Sequence, residues 1–425
     1  LQGYQKIAIL RDNFPGISAL KGDRLITIIS SSLSPDGNLI AIAGCWGQIM
    51  SNGNCETRRS GFLFVVDTNT GDVTSEIPLG SRWPGNIAFT PDGSKLLVTT
   101  DDYEVFFWDL QTKKESKTII DLAYSGATRY PDVSISPDGT NLAVVLKDTL
   151  YVWDFSGKVK FHVPAYPGIY NAGLSYSPSG TSIAMFSMGR TGIDLLDAST
   201  GKLIHKFPLE KIGGISFSPD GKYIAGFNYD KNIVTVWDLV DNNKIAEIET
   251  GVFISSITFS PESDILLVGG FHPLNEKDDY SKIAKLYKTA DWTFLDDFYS
   301  PFFEGKIKFS QNGEKMAIVE SGGVAIWGEP DASLLAGINI VKKFQLALSQ
   351  GKYKEAADLF MVDEYSSDSL TSHGLDLNDV PGSFERLCTA QTIFCYPVRD
   401  IVRIGHDWDY MVYLVHLESP SGGTF

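Results

Sequence analysis

Apolar and polar residues alternate in short runs over most of the first 330 positions, and turn residues separate the runs. One full unit is legible near residue 218. "GGISFS" (213–218) alternates with period two, Ser-Pro-Asp-Gly turns the chain, and "KYIAGF" (222–227) follows. After a polar turn comes "NIVTVWDL" (232–239), then a second turn and "KIAEIE" (244–249). Period-two alternation, β-branched residues and Pro-Asp-Gly turns predict four short antiparallel strands per unit. In such a turn Pro presets φ, Asp accepts backbone hydrogen bonds and Gly supplies the positive φ.

The turn recurs. Ser34-Pro35-Asp36-Gly37 reappears at Thr90–Gly93, Ser136–Gly139, Ser177–Gly180, Ser218–Gly221, Ser260–Ser263 and Ser310–Gly313. The spacings are 56, 46, 41, 41, 42 and 50 residues, so the unit is about 41 residues and longer intervals carry insertions. Trp108-Asp109-Leu110, Trp153-Asp154-Phe155 and Trp237-Asp238-Leu239 end their third strands, and on these residues the chain resembles the WD-repeat β-propeller family. Val66-Asp67 and Leu196-Asp197 are weaker copies, and Tyr287-Lys288 and Trp327-Gly328 depart further. The family's Gly-His dipeptide is missing from the blades, which puts its His-Asp-Trp hydrogen-bond network in doubt. The resemblance implies an all-β seven-bladed β-propeller over residues 1–330.

The seventh copy has only three strands, "GKIKFS", "EKMAIVE" and "GVAIWG", before "EPDASLLAG" changes the pattern. An orphan strand-like segment, Tyr4–Leu10, lies at the other end of the chain. It is expected to close the ring as the outer strand of the last blade, covering an otherwise open edge.

From residue 331 the period changes. Ile338, Val341, Phe344 and Leu348 share one helical face, as do Tyr353, Ala356, Ala357 and Phe360 after a break at Gln350-Gly351. Two strand-like runs, "FCYPVRDIVRIG" and "DYMVYLVHLES", come later. The two-helix opening with "EAADLF" is similar to nuclear transport factor 2-like and SnoaL-like domains. This implies a small α+β domain over 331–425, truncated or reduced because such a cone has more strands. The family's Asp-His pair would be sought among His373, His406, Asp407 and Asp409, although "GHDWDY" reads better as a hairpin turn.

Composition narrows the partners. The net charge of −16 repels phosphate backbones, and there is no basic run, so nucleic acid is not expected. No stretch approaches the ~18–20 apolar residues that span a bilayer. The chain begins at Leu1 with no visible signal peptide, which fits a mature or trimmed chain whose leader has been removed. Four cysteines fall in two local pairs, Cys45/Cys55 and Cys388/Cys395. Paired spacing favours disulfides, and disulfides favour an exported protein: extracellular, at the cell surface or periplasmic, with a lipid anchor on the lost leader as a variant. In "CWGQIMSNGNC" (45–55) a metal clip lacks further ligands and a redox pair is more closely spaced, so a staple is the preferred reading.

Catalytic chemistry is sparse. None of the six histidines has a His or Cys at metal spacing, and no Gly-x-Ser-x-Gly elbow exists. "DTNTGD" (67–72) lacks the late Glu of a calcium loop, and "NEKDDYSK" (275–282) reads as a solvated acidic insertion. No cofactor and no metal is expected. The loops joining one blade to the next share a face with the turns between second and third strands. That face collects Trp46, Arg82, Trp83, Tyr124, Arg129, Tyr130, Tyr166, Tyr170, Phe253, Phe302 and Phe303. Aromatics and Arg are the residue types enriched at binding hot spots, although local packing under the loops competes as an explanation. The leading expectation is a non-catalytic exported scaffold whose loop face binds a protein or peptide. A glycan-binding envelope protein is the first alternative. An enzyme with a small-molecule pocket at the propeller mouth or in the C-terminal domain is the second.

Overall fold

The computed structural model describes residues 5–10, 26–46, 61–80, 82–101, 104–120, 132–146, 149–165, 172–187, 191–271, 282–299, 303–320, 323–328, 343–344, 346–348, 350–359, 379–389, 398–407 and 410–417. Two compact units emerge: Leu10–Ile326, and Leu1–Ile9 with Trp327–Phe425.

The larger unit is a β-propeller with seven blades among the described residues. In blades one to six, four strands lie in chain order, each antiparallel to the next. The innermost strands are Ile26–Leu33, Pro84–Phe89, Asp132–Ile135, Ala172–Tyr176, Ile212–Phe217, Phe253–Phe259 and Phe303–Phe309. Each contacts the innermost strand of the next blade, and the seventh contacts the first, so the ring closes at its centre.

Blades pack face to face through the apolar residues that the alternation places between sheets. Between blades one and two, Ala41, Ala43, Leu63 and Val65 meet Ile87, Phe89, Leu96, Phe106 and Trp108. Between four and five, Phe207 and Trp237 are almost fully buried with ring centroids 5.4 Å apart. Each such large side chain contributes roughly 1.5–3 kcal/mol by leaving water, which is why short, marginal sheets hold as a ring.

The repeated turns are built alike. Ser34 Oγ donates to Asp36 Oδ1 at 2.6 Å and Ser218 Oγ to Asp220 Oδ1 at 2.7 Å. The same hydroxyls accept the N–H of Leu39 at 2.9 Å and of Tyr223 at 2.8 Å. The turn glycines sit at positive φ, 72° at Gly37 and 73° at Gly221, where a Cβ is strained. Blade six has Ser263 there instead, at φ 61°; its hydroxyl accepts the Asp220 N–H of blade five at 3.0 Å. Blade seven closes on blade one in the same layer. Asn312 donates its N–H to Pro35 O and its Nδ2 to Asp36 O, both at 3.0 Å. Buried Lys315 reaches Thr68 Oγ1 at 2.7 Å and Asn69 Oδ1 at 2.5 Å.

The buried Trp108 Nε1 has no hydrogen-bond partner among the described residues.

In the smaller unit, Gln5–Leu10 is a strand as predicted and pairs in parallel with Val398–Asp407 at Ala8↔Arg403. Val398–Asp407 and Tyr410–Leu417 pair antiparallel up to Asp407↔Tyr410, the hairpin read from "GHDWDY". The helix break at Gly351 (φ 71°) closes with Gly351 N–H on Leu348 O and Lys352 N–H on Ala347 O. Helix Tyr353–Asp358 follows it. Helix Val380–Thr389 was not expected from the pattern. Its signal is Asp379-Val380-Pro381: Asp379 Oδ1 accepts the Gly382 N–H at 3.0 Å, and Pro suits the first helical turn. Phe344, Ala347, Leu348, Ala356 and Phe384 form this unit's core. Ile338, Val341, Phe360 and His373 lie outside the described residues, as does Asp409; His406 and Asp407 are in the strand Val398–Asp407.

Candidate functional site: the loop face

Alternate connections in an antiparallel blade lie at opposite ends. The Ser-Pro-Asp-Gly turns and the third-to-fourth-strand turns therefore share one face, and the remaining connections share the other. "DTNTGD" belongs to the first face. Asp67 Oδ1 accepts the N–H groups of Asn69 at 2.8 Å and Thr70 at 3.0 Å, so the carboxylate shapes its own turn.

On the opposite face the connection from blade one to two carries Arg82 and Trp83. Arg82 is fully engaged: Nη1 meets Glu104 Oε2 at 3.0 Å, Nη2 meets Glu115 Oε2 at 2.9 Å, and Nε donates to Leu79 O at 3.1 Å. Its guanidinium also lies 4.7 Å from the Phe106 ring centroid. Burial works against the charge, but the hydrogen bonds and charges of Glu115 and Glu104 outweigh it and raise the pKa. Trp83 is 6% exposed and packs on buried Cys45. Its N–H donates to Asp101 Oδ1 at 2.8 Å. Gly61 is required beside it, because a Cβ there would meet Pro84 Cδ at 2.9 Å. Arg82 and Trp83 thus set the shape of this loop.

Phe253 does face solvent, at 40% exposure, against Phe271 with centroids 5.3 Å apart. Trp46 and Phe303 are strand residues paired with Ile26 and Glu320. Cys55, Tyr124, Arg129, Tyr130, Tyr166, Tyr170, Phe302 and Cys395 lie outside the described residues, as do residues 275–281. Cys388 is in the helix Val380–Thr389. Cys45 is not a free thiol.

A groove of about 680 Å³ lies on this face between blades four and five, lined by none of the aromatic residues that the sequence singles out. It is lined by Leu209 and Ile233 together with Thr191, Lys206, Glu210, Lys231 and Glu247. Asn228 shapes one end, donating to Glu210 O at 2.8 Å and accepting the Lys231 N–H at 2.8 Å. Lys206 is paired with Asp194 at 3.1 Å and Glu247 with Lys244 at 2.7 Å. Glu210 and Lys231 have no side-chain ion pair among the described residues. The signal in the sequence was two polar connections, "PLEKIGG" and "YDKN", whose lysines and glutamate look like ordinary solvated loop.

Among the described residues, no group of three or more His, Cys, Asp or Glu could hold a metal ion, and no helix is long and apolar enough to cross a membrane. No protein-family model matches the sequence, and no curated protein matches it.

Proposed function

We propose that this is a non-catalytic binding and scaffold protein of WD-repeat type, exported from the cytoplasm, whose loop face takes a protein or peptide partner. The supporting observation is the groove between blades four and five. Its lining combines apolar Leu209 and Ile233 with Lys231 and Glu210, neither of which makes a side-chain ion pair among the described residues. Placed on a rigid ring, this combination suits an extended peptide bearing both charges. Phe253, on the same face, extends the contact toward blade six.

In this reading Cys45–Cys55 and Cys388–Cys395 are disulfides, the first a staple for the blade-one loop. The smaller unit is an α+β interaction or spacer module. Intact mass after alkylation without reductant tests the pairing: four alkylated thiols in protein prepared under oxidising conditions refute it.

Binding is tested by selecting phage-displayed random peptides on the wild-type protein and re-assaying them on Leu209→Asp/Lys231→Glu. Selected peptides bind the wild type and lose at least tenfold on the variant at matched Tm. No enrichment over the blank surface, or equal binding by the variant, overturns the assignment.

A further inference from the structure

The seven innermost strands surround the central channel, and the repeat fixes which residues share a level of its wall. Two residues before each turn Ser or Thr stand Ser32, Ser134, Ser175, Ser216, Thr258 and Lys308, with Ala88 completing the ring. The turns themselves are stacked blade on blade, with Gly93 against Pro35, Gly139 against Pro91 and Gly313 against Pro261. Positions equally distant from them therefore lie at one height. That height holds five hydroxyls, one ammonium and no carboxylate.

The hydrogen-bond balance there is lopsided. Ser32 Oγ accepts the Phe89 N–H at 3.2 Å, and Ser134 Oγ accepts the Tyr176 N–H at 3.0 Å, each bridging to the next blade. Neither hydroxyl hydrogen is given to an acceptor among the described residues. Lys308 is surrounded by protein and yet open to solvent, as a side chain projecting into a channel is. Its ammonium makes no hydrogen bond or ion pair among the described residues. The one acid acting on it at longer range is Asp132, four residues before its own turn on blade three. Asp132 spends its acceptors elsewhere, on the N–H groups of Val133 at 3.1 Å and of Leu174.

Ser175, Ser216 and Thr258 turn their hydroxyls onto the carbonyls of Tyr176, Phe217 and Phe259. This leaves the Ser32 and Ser134 hydroxyls and the Lys308 ammonium as the donors at this level without an acceptor among the described residues, and such a set has a specific complement. We propose that this level of the channel is a binding site for a small oxyanion, a phosphate or a carboxylate, held by the Lys308 ammonium and the hydroxyls of Ser32 and Ser134. Charge-assisted hydrogen bonds from both residue types strengthen where water is sparse. Lysine serves as a compact point charge for such groups. The acidic exterior keeps long-range attraction small, so the site depends on these local donors.

The probes are inorganic phosphate and acetate, titrated calorimetrically into the full chain at pH 8 and constant ionic strength. Saturable one-to-one binding is expected for at least one of them; acetate alone assigns a carboxylate, phosphate alone a phosphate. Lys308→Gln weakens it at least tenfold, while Lys202→Gln, on an exposed turn outside both the channel and the groove, leaves it unchanged. Asp132→Asn removes the opposing charge and tightens binding at least threefold, an arm independent of whether Lys308→Gln folds. No saturable binding of either anion, unchanged affinity in folded Lys308→Gln, or unchanged or weaker affinity in Asp132→Asn overturns the site.

Discussion

Replacing Asp132 with Asn should stabilise the propeller, and only above a definite pH. Burial pushes the Asp132 carboxyl up from its ordinary 3.8 to about 7, against the opposing backbone N–H bonds of Val133 and Leu174 and the charge of Lys308. A folded-state value above the unfolded one means that the ionised form costs stability. The cost is absent below about pH 4, grows between about pH 4 and 7, and is complete above that. Three powers of ten in proton affinity correspond to about 4 kcal/mol, and water in the channel lowers this to about 2–4 kcal/mol. Asn keeps the acceptor oxygen for both N–H groups and cannot ionise, so it mimics the protonated acid. For a unit of this size, an unfolding entropy of roughly 2.1 cal/mol/K per residue converts that into a rise in Tm of about 3–6 °C. Scanning calorimetry of both proteins at pH 4.5, 6 and 8 measures it. The curves should nearly coincide at pH 4.5 and separate progressively. A lower Tm for the variant at pH 8, or an offset that does not change with pH, refutes the placement of Asp132 in a confined channel.

Lys315→Met should cost about 3 kcal/mol in scanning calorimetry, because it removes two charge-assisted bonds that tie blade seven to Thr68 and Asn69 of blade one. Trp83→Ala should destabilise by about 4 kcal/mol through the cavity left beside Cys45, a change in Tm rather than a pure loss of partner binding. Trp108→Phe should cost less than about 1.5 kcal/mol, since the indole N–H it removes is buried without a partner among the described residues. Asp36, Asp92 and Asp138 are held below the usual carboxylate range, chiefly by the hydroxyls of Ser34, Thr90 and Ser136. Their stabilisation is present above about pH 4 and lost as pH falls through the depressed values, so their triple Asn variant should lose Tm at pH 7 and converge with wild type near pH 2.

The blades were legible because one short motif sets them. Ser or Thr, Pro, Asp and Gly each satisfy a local requirement of the turn, and alternation then assigns every following residue to a face. Local rules also marked the helix break at Gly351 and the hairpin at Asp407↔Tyr410. The helix Val380–Thr389 escaped because its apolar residues are few and only Asp379 and Pro381 announce it. The loop face was harder for a different reason. A residue type does not reveal whether a side chain turns outward or under its own loop. Trp83 has the composition of a hot spot and is packing, and Arg82 has the charge of one and is spent on two glutamates.

The same distinction decides where binding should be sought. A polar group already satisfied within the protein has little to offer a partner, because a new bond must first break an old one. Lys231 and Glu210 in the groove, and Lys308 in the channel, are unremarkable in sequence and make no side-chain hydrogen bond or ion pair among the described residues. Arg82 is conspicuous in sequence and fully paired. Unspent donors and acceptors on rigid strands and short turns are therefore the positions at which to test this propeller for binding before the residue types on its loops.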